Sequence, residues 1–181
     1  MANLTSAALA AHELGLAATF GGIVFGQSSL GKAVKVLPNE NDRSRVLEES
    51  WRTFAIPKAI GVITAGATWV IGRSLFSGRF MSKDMRRLVI AKDVALGITV
   101  VSGIGAQIIG RQLSNEQPFP VQAEGQPSQQ TPDKVAALER TVSLLGFVQL
   151  LAAGTALVLT SALNIRGQRN PAWNLIARAL P

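Results

Sequence analysis

The sequence predicts an all-α fold. It is an integral membrane four-helix bundle with short interfacial amphipathic helices, and it fills 1–181 as a single membrane domain. Three observations predict it. Only 16% of the 181 residues are charged and 48% are hydrophobic, with a mean hydropathy of +0.27, whereas a soluble domain carries about 25% charged residues. Four stretches are apolar over the roughly 20 residues that a spanning helix needs. Each stretch also carries a stripe of small or weakly polar residues stepping by three and four, which one helix face collects. Soluble amphipathic helices pack through Leu and Ile. A seam of Gly, Ala, Ser and Thr is how helices pack in lipid.

The first helix is expected over about 4–30. Its stripe is Thr5, Ala8, His12, Gly15, Thr19, Gly22, Gly26 and Ser29. The N-terminus lacks a basic leader region and His12-Glu13 interrupts its apolar run, so it reads as a retained helix and not a signal peptide. A charged connection follows, in which Asn39 or Asn41 caps a short helix bearing Val46, Leu47, Trp51 and Phe54. Pro57 then begins or kinks the second helix, over about 54–76, with the stripe Pro57, Gly61, Ala65, Thr68 and Gly72. Ser82 is an N-cap leading to the third apolar segment, about 88–110, whose stripe is Lys92, Ala95, Thr99, Ser102 and Ala106.

Residues 111–131 form a Pro/Gln-rich surface loop that cannot bury itself. Thr131 caps the fourth helix, with Pro132 in its first position and Asp133 in its first turn. That helix is expected over about 132–165, with the stripe Gly146, Gln149, Ala153, Ala156, Thr160 and Asn164. The segment 170–181 is an interfacial tail carrying Trp173. The residues expected to carry helix packing are Gly15, Gly22, Gly26, Gly61, Ser102, Ala106, Gly146 and Ala153.

Composition removes most chemistries. There is no Cys, no Tyr and one His, which excludes disulfides, thiolate nucleophiles and cysteine-ligated metals. Phosphate-binding and zinc-protease motifs are absent. The net charge of +7 comes from cations flanking the apolar segments, such as Lys32, Lys35, Arg86, Arg87 and Arg111. Such cations meet lipid headgroups, so the expected partners are the bilayer and other membrane subunits, and not nucleic acid. With four crossings both termini share a side with Arg73, Arg79, Lys83, Arg86 and Arg87. The count of Lys and Arg ties between the two sides, but this side packs them into shorter loops. That places both termini in the cytoplasm.

Four ionisable residues fall at matched depth on that side: His12, Glu13, Lys92 and Asp93. A charge near mid-bilayer costs at least about 2.5 kcal/mol, which favours pairing Glu13 with Lys92. The alternative is solvation of Lys92 and Asp93 at headgroup level. His12 is the one candidate ligand for a haem or metal; no cofactor is otherwise implied. Gln27, Gln107 and Gln149 form a second polar set, expected to hydrogen-bond between helices.

The run HELGLAATFGGIVFGQSSLGKAV, with His12, Gly21, Gly22 and Phe25, precedes a charged connection containing Trp51 and a second apolar helix. This layout resembles small four-helix membrane families of the copper-resistance D-like and anthrone-oxygenase-like kind. The resemblance covers the first third of the chain and implies a membrane bundle; it carries over no site residues. Taken together, the residues point to a non-catalytic accessory or scaffolding subunit of a larger membrane complex. The alternatives are a small proton- or ion-coupled transporter or channel using the polar cluster, and a membrane cofactor-binding or redox protein.

Overall fold

The computed structural model describes residues 2–75, 82–116, 120 and 127–168. Among these residues the architecture is all-helical. Helix α1 spans Ala2–Phe25 and runs on through a π-turn, Gly26–Leu30, and two short helical pieces, Gly31–Ala33 and Val34–Val36. Helix α2 spans Glu40–Leu75, α3 spans Lys83–Ser114 and α4 spans Asp133–Gln168. Helix α1 packs along α2, and α3 packs along α4. Contacts between α1 and α4 join the two pairs, while α2 and α3 touch only lightly.

All four helices are long and apolar enough to cross a bilayer, over Ala7–Val36, Glu40–Gly72, Lys83–Ser114 and Asp133–Arg166. These runs hold 30 to 34 residues. At 1.5 Å per residue they exceed a hydrocarbon core about 30 Å thick. Their ends therefore reach past it or the helices tilt.

The distribution of side chains is inverted relative to a water-soluble bundle. Large apolar residues face outward on every helix: Leu14 is 70% exposed, Ile63 68%, Val101 72% and Val158 69%. Lys92, Gln149, Thr19, Thr99 and Thr160 are among the most deeply buried side chains. A small apolar core of Leu16, Ala65, Ala95, Leu96 and Ala156 sits beside them.

Several helix limits differ from the sequence reading. The helix expected over 54–76 starts at Glu40, so the short charged helix and the apolar one are continuous through Pro57. Proline removes one ladder bond, to the exposed Thr53, and the helix continues on both sides of it. Asn39 is the residue that caps, its side chain accepting from the Asn41 amide at 2.9 Å. The Arg43 guanidinium donates to the Leu37 carbonyl at 2.7 Å and closes the α1–α2 turn.

Ser82 caps α3, accepting from the Met85 amide at 3.2 Å. Thr131 does not cap α4. The first turn closes on the Pro132 carbonyl, and the Thr131 hydroxyl donates to the Pro120 carbonyl at 2.7 Å while accepting from the Ser128 amide. It ties the loop to the start of the helix. The expected loop 111–131 is also shortened, since α3 runs to Ser114. The expected tail 170–181 lies outside the described residues.

Candidate functional site

The α1–α2 crossing brings two backbones into contact. A Cβ on Gly15 would stand 2.5 Å from the Gly61 carbonyl oxygen, and one on Gly61 would stand 2.8 Å from that of Gly15. No other residue type fits this approach without separating the helices. Further along, Gly22 and Gly26 are the sockets for the rings of Phe54 and Trp51. The π-turn then shifts the helix phase. Buried positions resume at Gly31 and Val34, and Ser29, the last member of the expected stripe, is exposed. On α3 the residues Lys92, Ala95, Thr99, Ser102 and Ala106 are all buried, as are Gln149, Ala153, Ala156 and Thr160 on α4. Gly146 lies against the Gln27 amide.

Hydroxyls on these faces are bonded to their own helices. Thr19 donates to the Gly15 carbonyl, Thr99 to Ala95, Ser102 to Ile98 and Thr160 to Ala156. Gln149 crosses between helices and donates to the Thr99 carbonyl at 3.1 Å.

At one end of the bundle all four helices contribute to a polar cluster. From α1 comes His12, 3% exposed, whose Nδ1 lies 2.8 Å from the Ala65 carbonyl oxygen and 3.2 Å from Thr68 Oγ1 on α2. Its ring stacks against Trp69, with centroids 5.9 Å apart. The Trp69 indole N–H donates to Asp93 on α3 at 2.7 Å, a direct bond between two helices that touch only lightly. Lys92, 2% exposed, places Nζ 3.9 Å from the Trp69 ring centroid, a cation–π contact. From α4, Asn164 donates to the Glu13 carboxylate at 2.6 Å.

The expected Glu13–Lys92 pairing is electrostatic without a contact ion pair among the described residues. Among the described residues Glu13 takes an amide donor and Lys92 takes an aromatic face. Burial of Lys92 also sets aside the alternative in which its ammonium is solvated at headgroup level. The four ionisable residues do share one end of the bundle, because α1 and α3 both begin there while α2 and α4 end there.

The sequence reading missed Trp69 as the centre of the cluster. A signal was available, since an indole inside an apolar helix needs a partner for its N–H and Asp93 is the carboxylate at matching depth. Asn164 was visible as a stripe member but not as a partner of Glu13.

Two buried side-chain atoms among the described residues have no hydrogen-bond partner: His12 Nε2 and Glu139 Oε2. No group of three or more His, Asp or Glu side chains among them is placed to hold a metal ion. Comparison with protein-family models, with curated proteins and with solved structures gives no match.

Proposed function

We propose that this chain is an integral membrane protein that handles a proton or small ion through the buried cluster of His12, Glu13, Lys92 and Asp93. The membrane setting is supported by four spanning-length helices with outward Leu, Ile and Val and an inward polar lining. One observation carries the functional part. Lys92 is 2% exposed, and its ammonium lies over the face of Trp69 with the Glu13 and Asp93 carboxylates acting on it from nearby. A bundle held by small-residue seams has no structural need of such a group. Ionisable residues inside membrane helices mark ion pathways and proton relays.

A scaffolding or accessory-subunit role ranks second. The seams that motivate it are engaged within the chain, at Gly15–Gly61, Gly22–Phe54 and Gly26–Trp51. The cofactor-binding alternative rests on His12 alone.

Reconstitution into liposomes loaded with a pH-sensitive dye tests the proposal. The wild-type protein should dissipate a pH or ion gradient, and Glu13→Gln or Lys92→Met should slow that dissipation. Wild-type flux no greater than that of empty liposomes would sink it.

A further inference from the structure

We infer that the proton-binding atom of this cluster is Nε2 of His12, held ready by a ring whose other nitrogen is permanently protonated. The inference rests on the proton-handling reading above and deepens it. The Ala65 carbonyl, 2.8 Å from Nδ1, is an acceptor only, so Nδ1 carries the hydrogen. Thr68 Oγ1 lies 3.2 Å away and donates its own hydrogen to the Thr64 carbonyl at 2.6 Å. Its oxygen is therefore a second acceptor for the same N–H. Stacking on Trp69 fixes the ring plane.

With Nδ1–H so occupied, Nε2 of the neutral ring is a lone pair. It is buried and has no donor among the described residues. A proton from water forms one N–H bond there and converts imidazole to imidazolium. Release breaks that bond and returns the proton to water, with no other change in the ring.

Among the described residues, three charged groups lie around the ring. Helix α1 brings Glu13, and α3 brings Lys92 and Asp93; α2 and α4 add the neutral Thr68, Trp69 and Asn164. The Lys92 ammonium opposes a second cation close by, so a proton taken up on Nε2 is readily released. Because Nε2 is sealed from solvent, loading requires movement of the surrounding helices, as alternating access does.

His12 is the only histidine in the chain, so a 15N-histidine label reports this site alone. In full-length protein in lipid nanodiscs, the neutral ring should carry its hydrogen on Nδ1. Acidification should then add one on Nε2 while Nδ1 keeps its own. A neutral ring protonated on Nε2 would overturn the assignment. So would an Nε2 that takes up no proton between about pH 4 and 9, a range wide enough for a perturbed histidine. In liposomes His12→Gln should reduce proton flux to that of empty vesicles. Wild-type flux in His12→Gln would remove His12 as the carrier and leave the transport reading standing. An Nε2 that titrates in a protein without flux would support the assignment and end the transport reading instead.

Discussion

Lys92 is held where an apolar side chain of similar length would serve packing better. Its stem lies in the bundle and its ammonium meets a ring face, with no ion pair within the described residues. Burying an ion costs several kcal/mol in desolvation, which an apolar side chain of similar length does not incur. Lys92→Met should accordingly raise the thermal unfolding midpoint in detergent, by the equivalent of about 1 kcal/mol, while impairing flux. A marked loss of stability would instead make the ammonium a structural strut.

Residue identities alone revealed which ionisable groups share an end of the bundle, because helix direction and depth follow from the order of the apolar segments. They did not reveal the partners. Both Lys92 and Asn164 lie at the depth of Glu13, and the choice of Asn164 depends on the rotation of α4, which no single residue encodes.

At the scale of the element, the α1–α2 crossing depends on two missing side chains. Gly15→Ala would drive a methyl into the Gly61 carbonyl and should cost about 1–3 kcal/mol, as overpacking does. Gly97, on the exposed side of α3, has open space around its Cα. Gly97→Ala should add up to about 1 kcal/mol through helix propensity. Unfolding in graded detergent mixtures measures both, and equal effects at the two sites would refute the close-contact account.

The faces of α3 and α4 were legible because unbroken helix geometry turns a three-and-four spacing into a face. That legibility fails where the geometry changes. The π-turn after Phe25 moves the buried face from Ser29 to Gly31 and Val34, and a spacing rule cannot anticipate an inserted residue. Helix α2 passes through Pro57 because the surrounding turns outweigh one lost bond. Thr131 has the chemistry of a cap but finds the Pro120 carbonyl first, a partner eleven residues away that local pattern does not contain.

At the scale of the whole molecule, helices that alternate in direction put the cluster at the end shared by the start of α1 and the start of α3. The chain has no cysteine, so single cysteines can be introduced one at a time to map sidedness. Lys83→Cys should react with an impermeant maleimide from the cytoplasmic face, and Val36→Cys and Asn115→Cys from the opposite face. Reaction of all three from one side would contradict four crossings.

Beyond the cluster, the hydroxyls that line the interior are committed to carbonyls of their own helices. Among the described residues these hydroxyls offer no relay of donors from one end to the other. The interior therefore behaves as an insulator between the cluster and the far face. In a polarised membrane the voltage drops across that stretch. Any charge carried through it performs electrical work of about 2.3 kcal/mol per 100 mV, so transport of the kind proposed would respond to membrane voltage.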